Sequence, residues 1–445
     1  MVKSPPLLNP HKPFSPKSFP FYYGWIIMVA ATIGTIASIP GHTMGVGVFT
    51  EYLISSLQIS RTSLAKSYAI GTVLSSFCLP WAGVLLDRLG ARPMIIIASL
   101  GLGLALILLG MLEVISSTVF PENASPWVMF SALCFTFFLL RFFGQGTVTM
   151  VSRSMIGRWF NVKRSFVTML SSLGVGLSFN IAPQVLNQSL KVFGGQGTIF
   201  ILAALIGLGM SMIGYLFFRN SPEECGLLLD NGKTPQKSPK QDIETYHEFT
   251  RAEAIRTYPF WAVTCCFAIY SLTITALTFH ITDIGKEFFH SRDYVYSIFP
   301  YAGIVGIAAT LFTGWGGDRF PMKNLVLLIA AGQLTMSLGV VYFEGIAGFA
   351  LLVVGYGISN GVFVSLITMI WPRFFGRENL GAVSGACTLF VVFASAFGPI
   401  LLSLLQGFFG NYSVPFYLLS LIQSCLILTS FFVENPQRKH RMVLD

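Results

Sequence analysis

The chain has 445 residues, of which 53% are apolar and only 11% are charged, and its formal net charge is +9. Soluble globular proteins carry about 25% charged residues, so this chain lacks the polar side chains that would cover a folded surface in water. The composition excludes an intrinsically disordered chain, a disulfide-rich secreted domain and an ordinary cytosolic enzyme. It predicts an integral membrane protein that is surrounded by the lipid bilayer.

Twelve apolar runs along the chain are long enough to cross a bilayer, for which a helix needs roughly 20 residues. Charged residues, Pro or Gly bound each run, and none shows the period-two alternation of a transmembrane strand. The predicted spans are 22–49, 64–86, 93–115, 126–151, 164–188, 197–218, 258–283, 294–316, 324–343, 347–371, 380–406 and 413–433. The fold class that follows is an all-α integral membrane protein with twelve transmembrane helices.

The placement of Lys and Arg predicts the orientation of these spans. If both termini are cytoplasmic, 22 of the 28 basic residues lie on inner segments. The outer loops then hold only Arg61, Lys66, Lys191, Lys286 and Arg292. We therefore expect a multi-pass protein of the cell membrane (inner or plasma) with both termini cytoplasmic. The positive charge is then a topology signal, and no nucleic-acid partner is expected.

Polar segments divide the chain into predicted domains. Residues 1–21 are rich in Pro and predict a flexible cytoplasmic tail, and residues 434–445 predict a second one. The long polar stretch 219–257 predicts a cytoplasmic loop between an N-terminal six-helix bundle, 22–218, and a C-terminal six-helix bundle, 258–433.

The two predicted bundles also resemble each other in sequence. Arg158-Trp159-Phe160 pairs with Arg373-Phe374-Phe375 at an offset of 215 residues. The same offset pairs Arg141 with Tyr356 and Gln145 with Asn360. Such duplication is typical of pseudo-symmetric carriers, in which the substrate binds near the bilayer midplane.

Two motifs resemble those of a known family. The loop after span two reads Gly83-x-x-x-Asp87-Arg88-x-Gly90-x-Arg92, and span four contains Arg141-Phe-Phe-Gly144-Gln145-Gly146. The first is similar to the signature loop of the major facilitator superfamily, and the second resembles another motif of that superfamily. The resemblance implies two six-helix bundles that rock about a central cavity.

The same resemblance implies a cytoplasmic latch. In this latch the aspartate meets a helix terminus of the other half and the arginines pair with acids, which agrees with the charge preferences of helix ends. The latch residues would be Gly83, Asp87, Arg88, Gly90 and Arg92, together with Asp318 and Arg319 from the loop after span eight. That second loop has Pro321 at the position that matches Gly90, so it is a degenerate copy.

Further segments are similar to one branch of the superfamily, that of oxalate/formate antiporters and monocarboxylate transporters. They are Tyr23-Gly24-Trp25, Arg158-Trp159-Phe160-x-x-Lys163-Arg164, Phe260-Trp261 and His280-x-x-Asp283-x-Gly285. Members of this branch commonly carry a basic residue in span eight or eleven that holds the substrate carboxylate. Here spans 294–316 and 380–406 contain no Lys, Arg or His.

Arg141 is the formal charge that these spans place deep in the bilayer. It lies about 18 Å from the inner end of span four, where burying a cation costs at least roughly 2.5 kcal/mol. Either it is a fixed positive charge that attracts an anionic substrate, or it is a helix brace bound by backbone carbonyls or by Gln145. The first interpretation predicts substrate contacts from Arg141, Gln145, Tyr270, Tyr356 and Asn360.

His42 and His280 lie toward the outer ends of spans one and seven. They are candidates for proton or substrate contacts at the outer mouth, and the alternative is a pair of interfacial histidines that hydrogen-bond to loops. Because no Asp or Glu lies deep in a predicted span, we expect anion exchange, or symport in which the substrate helps to carry the proton.

The sequence therefore predicts a secondary active transporter that moves a small organic anion, such as a monocarboxylate, by alternating access. It is expected to act as a monomer, without a cofactor or a metal. An exporter of amphipathic compounds (drug or siderophore type) is the alternative, suggested by 41 Phe and 15 Met, and a non-transporting receptor is a second. No paired carboxylates, metal-spaced histidines or activated nucleophile point to an enzyme.

Overall fold

The computed structural model describes residues 8–118, 126–232, 246–288 and 291–438. Within these ranges all regular secondary structure is helical. Helices satisfy every backbone hydrogen bond within one segment, which the bilayer requires because lipid offers no partner. The ends of both predicted tails and the central part of the predicted loop, 233–245, lie outside the described residues.

The first nine helices end before the predicted cytoplasmic loop. They are α1 Gly24–Ala37, α2 Thr43–Val48, α3 Thr50–Leu57, α4 Arg61–Leu89, α5 Ala91–Thr118, α6 Pro126–Leu140, α7 Thr149–Trp159, α8 Arg164–Ala204 and α9 Ser211–Phe217. Two π-helical segments, Arg141–Val148 and Leu205–Met210, join α6 to α7 and α8 to α9.

Eight helices follow in the second half of the chain. They are α10 Arg251–Ala254, α11 Tyr258–Glu287, α12 Arg292–Tyr296, α13 Ile298–Gly317, α14 Met322–Val341, α15 Ile346–Phe375, α16 Leu380–Phe409 and α17 Ser413–Ser430.

The described residues contain ten helical segments that are long and apolar enough to cross a membrane. Two features explain the difference from the twelve predicted spans. Predicted spans five and six form one 54-residue segment, in which Gly194 leaves helical geometry with φ 71° and ψ 176°. Predicted span one is interrupted, because α1 ends at Ala37 after 14 residues. The all-α membrane fold is confirmed, and the count of twelve stays a prediction.

Span four was predicted to end at residue 151, but its helix continues to Trp159. The predicted span ends before the basic residues that follow residue 151. The structure places Arg153 and Arg158 inside α7. Arg158 is tolerated there because it forms a buried ion pair with Asp87.

Contacts divide the chain into two compact units. The first comprises Met1–Phe160, Gly174–Gly232 and Ser384–Leu389, and the second comprises Asn161–Leu173, Lys233–Val383 and Phe390–Asp445. These units follow the predicted bundles except for the segments 161–173 and 384–389, which group with the opposite unit. The bundle boundaries 22–218 and 258–433 stay a prediction.

The N-terminal segment before α1 packs against the first unit, although the sequence predicted a flexible tail. Arg92 donates hydrogen bonds to the carbonyl oxygens of Asn9 at 3.0 Å and Lys12 at 2.8 Å. Arg219 donates from Nε to the carbonyl of Pro10 at 2.6 Å. Two buried arginines therefore hold this segment through its backbone, which composition alone does not reveal.

Replacing Arg219 should release the N-terminal segment. In Arg219→Ala we expect amide hydrogen exchange in residues 8–20 to accelerate by about tenfold or more, because three tail carbonyls lose a charged donor. Arg256→Ala, which removes an exposed arginine, should leave the exchange unchanged. Equal exchange in both variants would show that Arg219 does not hold the tail.

Candidate functional site

The Arg141 side chain is buried in the first unit, with 2% of its surface exposed. Its Nη1 donates to the carbonyl of Gly41 at 3.2 Å and approaches Thr43 Oγ1 at 3.5 Å. The guanidinium lies over the ring of Tyr68, 5.1 Å from its centroid. Its Nε and Nη2 atoms have no hydrogen-bond partner within the described ranges. No carboxylate of those ranges forms an ion pair with it.

The unpartnered atoms of Arg141 form one edge of the guanidinium. Nε–H and the adjacent Nη2–H point in the same direction, and such a pair of donors matches the two oxygens of a carboxylate. The brace interpretation accounts for the Nη1 contact with Gly41. It leaves this second edge unexplained.

A break in the first span creates the carbonyl partner of Arg141. The chain leaves α1 for a short 3₁₀ turn, Ile39–Gly41, and re-enters a helix at Thr43. Gly41 is required there because a Cβ would lie 2.6 Å from the carbonyl oxygen of Leu140 and 2.7 Å from the Cα of Gly144. The broken span thus crosses the beginning of the π-helical segment in backbone contact. Broken helices of this kind line binding sites in carriers.

His42 follows directly after the break. Its Nε2 lies 3.1 Å from Ser38 Oγ and 3.5 Å from Thr149 Oγ1, and its ring meets that of Phe179 edge-on at 5.1 Å. Thr149 also donates to Ser38 Oγ at 2.9 Å. The structure therefore places His42 beside the midspan arginine in a small hydroxyl cluster. Its predicted contact with a proton or a substrate stays a prediction.

Gln145 lies one turn after Arg141 in the π-helical segment. Its Oε1 atom is buried, and no described residue donates a hydrogen bond to it. Gln145 does not bind the guanidinium of Arg141, so that part of the brace interpretation is wrong. π-Helical turns are rare and occur frequently at functional sites.

The second unit brings together two of the three residues predicted there. The hydroxyl of the buried Tyr270 donates to Asn360 Oδ1 at 2.9 Å, and its ring packs on Phe363 with centroids 4.5 Å apart. Tyr356 lies one turn before Asn360, half-buried against Phe299. This group offers neutral hydrogen-bonding atoms and aromatic surface.

His280 is buried in the second unit, and both of its ring nitrogens have neighbours. Nε2 lies 3.1 Å from the carbonyl of Pro399 and 3.2 Å from Ser403 Oγ. Nδ1 lies 3.2 Å from the hydroxyl of Tyr412. These contacts tie α11 to α16 and to the start of α17, so His280 has a structural role in addition to the one predicted for it.

Each unit contains an Asp–Arg ion pair that joins the loop after span two or span eight to an arginine of the repeat. Arg158 Nη2 lies 2.6 Å from Asp87 Oδ1, and Arg373 Nη2 lies 2.6 Å from Asp318 Oδ1. The first pair continues into a network, because Arg158 also donates to Asn220 Oδ1. The predicted offset of 215 residues between Arg158 and Arg373 therefore relates two equivalent structural contacts.

The other predicted latch residues behave differently. Arg92 donates to three backbone carbonyls rather than to an acid, which corrects its predicted role. Arg88 is exposed. Arg319 is also exposed, and it donates to the Trp315 carbonyl and stacks on the Trp315 ring.

The two glycines of the signature loop are explained by the backbone. Gly90 ends α4 with φ +84°, a conformation that favours glycine. Pro321, at the matching position, precedes α14 with φ −56°, so this loop follows a different path. Gly83 is buried in α4, where its Cα lies 3.4 Å from the position of a Cβ on Gly385.

Several contacts of Arg141 and His42 were missed by the sequence analysis. Tyr68, Thr43, Ser38 and Thr149 are common residue types in membrane helices, and no local spacing marks them. Only Pro40-Gly41 is a local signal, because Pro and Gly commonly interrupt helices and the cluster is built on the break at this pair.

The sequence profile of the Major Facilitator Superfamily matches residues 21–399. The chain belongs to this superfamily. It is therefore a multi-pass integral membrane protein, and its fold is the major facilitator fold.

The chain is similar to two transporters whose names match the branch that the sequence resembles. "Monocarboxylate transporter 13" of Rattus norvegicus is 22% identical over 406 residues, which cover 88% of this chain and 85% of the relative. The "Oxalate:formate antiporter" of Oxalobacter formigenes is 21% identical over 390 residues, with 84% of each chain covered. These relatives are transporters rather than enzymes, which agrees with the prediction.

The fold also matches a solved structure. The proton:xylose symporter XylE bound to 6-bromo-6-deoxy-D-glucose superposes with a TM-score of 0.67 over 93% of this chain and 96% of that one. The sequence identity is 17%, so this similarity shows the fold alone.

The close approach at Gly41 can be tested with a matched pair of glycines. Gly41→Ala should lower the transition temperature by several degrees and impair transport, because the added methyl overlaps backbone atoms. Gly47→Ala should have little effect, since nothing lies within 4 Å of a Cβ at Gly47. Differential scanning fluorimetry compares the two variants, and equal melting would argue against the packed break.

The Asp87–Arg158 pair can be tested through a native thiol. Asn220 donates to Glu224 Oε1 at 2.7 Å, and Cys225 follows Glu224 in the chain. Burial raises the pKa of the Cys225 thiol to about 12, so little reactive thiolate is present at neutral pH. Asp87→Asn removes the carboxylate partner of Arg158 and should loosen this end of the unit.

Exposure would return the Cys225 pKa toward its ordinary value and accelerate maleimide labelling by about a hundredfold. Peptide mass spectrometry separates Cys225 from the other cysteines. Asp318→Asn, in the second unit, should leave Cys225 unreactive. Unchanged labelling in Asp87→Asn would show that the Asp87–Arg158 pair does not keep Cys225 buried.

Proposed function

We propose that this protein is a secondary active transporter that moves a small organic anion, such as a monocarboxylate, by alternating access. The free Nε–Nη2 edge of the buried Arg141 carries the proposal. A cation without an acidic partner is costly in the membrane, and an anionic substrate that binds to both donors offsets that cost.

The surroundings of Arg141 support an anion of small size. The Gly41 carbonyl accepts from Nη1 and the Tyr68 ring lies against the face of the guanidinium, so these two contacts fix the direction of the free edge. A fixed pair of donors in a low dielectric binds a carboxylate with more geometric specificity than a mobile lysine does. Gln145, with its unpartnered Oε1, adds an acceptor for a hydroxyl or a protonated carboxyl group of the substrate.

We further propose Tyr270, Tyr356 and Asn360 of the second unit as substrate contacts, as the sequence predicts. The Tyr270–Asn360 hydrogen bond uses the side-chain oxygen of Asn360. It leaves the amide nitrogen of this exposed residue available to donate. Together with Tyr356 it provides polar contacts without a formal charge. These contacts suit the uncharged portion of a monoanion better than a second carboxylate.

The names of the relatives support the same substrate class. They refer to monocarboxylates, oxalate and formate, all of which are small carboxylates. We further propose that both termini are cytoplasmic, as the distribution of Lys and Arg indicates. The Asp87–Arg158 and Asp318–Arg373 pairs would then stabilise the cytoplasmic ends of the helices.

Removing the guanidinium should abolish this transport. In proteoliposomes, Arg141→Ala should reduce counterflow of labelled formate, oxalate and lactate by at least about tenfold, the expected effect of losing a charge-assisted contact. The wild-type protein should exchange at least one of these anions. Arg141→Lys retains the charge but loses the paired donors, and an intermediate rate is expected.

Arg256→Gln serves as the matched control, because it removes an exposed arginine and should leave counterflow unchanged. Size-exclusion chromatography should show folded protein for every variant. Unimpaired counterflow by folded Arg141→Ala would return this residue to a purely structural role. Export of amphipathic dyes without anion exchange would instead favour the exporter.

A further inference from the structure

A line of polar residues runs along span four toward its predicted cytoplasmic end. Its members recur at every fourth position and are Arg141, Gln145, Thr149 and Arg153. In an uninterrupted α-helix such a series drifts around the axis by about 40° per step. The π-helical turn between Arg141 and Val148 holds more residues per turn and reduces this drift.

His42 shows that these residues share one face. The Oγ1 atom of Thr149 lies 3.5 Å from the His42 ring, and Arg153 follows one turn later on the same side of α7. Both Arg141 and Arg153 act electrostatically on His42. The imidazole is therefore within electrostatic range of both cations of span four.

Arg153 is a second cation without a partner. Its side chain is half-buried, and no hydrogen bond or ion pair with another residue of the described ranges reaches its guanidinium. The other buried arginine of α7, Arg158, is bound by Asp87 and Asn220. A cation placed only to set the topology has no need to face His42 and Thr149 inside the unit.

The spacing of the two arginines decides how an anion can use them. Twelve residues separate them, which corresponds to about 18 Å along a helix axis, and both side chains lean in the same direction along the helix. One small carboxylate, or a dicarboxylate such as oxalate with its carboxyl groups directly bonded, is too short to reach both. The two guanidinium groups therefore form two positions rather than one bidentate site.

We propose that Arg153 is a second anion-binding site, which holds the carboxylate substrate near the cytoplasmic end of span four after it leaves Arg141 or before it reaches it. This inference rests on the proposed function and on the proposed orientation. The hydroxyls of Ser38 and Thr149 and the ring of His42 provide polar contacts between the two positions. Arg153 would thus raise the affinity for substrate that arrives from the cytoplasmic side.

Transport measured separately from each side tests this inference. The probe is the labelled anion among formate, oxalate and lactate that shows counterflow, presented to right-side-out and inside-out vesicles that carry the full chain. Arg153→Gln should raise the KM at the cytoplasmic face by about tenfold and change the KM at the outer face by less than twofold. Arg153→Lys, which keeps the charge, should recover most of the cytoplasmic affinity.

Arg256→Gln is the matched control, since it removes an exposed arginine of the predicted cytoplasmic surface and should leave both KM values unchanged. An unchanged cytoplasmic KM in folded Arg153→Gln would overturn the second site, and so would equal increases at both faces. If Arg141→Ala loses transport while Arg153→Gln leaves both KM values unchanged, this inference is refuted and the proposed function is not. If the wild type exchanges none of the three anions, the proposed function fails and this inference fails with it.

Discussion

Burial of the Arg141 guanidinium is the constraint around which the first unit is organised. A cation in the middle of a membrane helix is tolerated only when carbonyls, aromatic faces or anions compensate for its lost hydration. Here the break at Gly41 exposes a backbone carbonyl, and Tyr68 supplies a ring face. The carbonyl engages Nη1 and the ring lies against the face, so Nε and Nη2 have no hydrogen-bond partner among the described residues.

The two units retain the same supporting contacts but differ in their polar interiors. Each has an Asp–Arg pair of 2.6 Å that joins the end of one helix to another. At the positions equivalent to Arg141 and Gln145, however, the second unit has Tyr356 and Asn360. The ion pairs meet the same structural need in both copies, whereas the charge of Arg141 has no counterpart at Tyr356. Duplication thus preserved the scaffold while the interiors diverged.

The sequence offered candidate site residues, which stay a prediction, but it did not indicate their partners. Arg141 stood out because it is a charge inside an apolar run, and Asn360 followed from it by the repeat. The prediction that Arg92 pairs with an acid was wrong. Two of the carbonyls that it binds belong to an N-terminal segment whose composition predicted flexibility. Arg153 was not among the predicted site residues, because predicted span four ends at residue 151, before this arginine. The true end of this span depends on the pairing of Arg158 with Asp87, which are far apart in the chain.

The sequence by itself determined that the chain lies in a lipid bilayer, that it is all-helical and which superfamily it belongs to. It also showed that the two halves resemble each other. Each of these depends on composition, local periodicity or ordered motifs, which a linear chain displays directly. Only the tertiary structure decided which edge of Arg141 is free, where span four ends and what holds the N-terminal segment. These features depend on contacts between residues far apart in the chain, such as Gly41 with Arg141 and Arg219 with Pro10. Local sequence patterns do not encode such contacts.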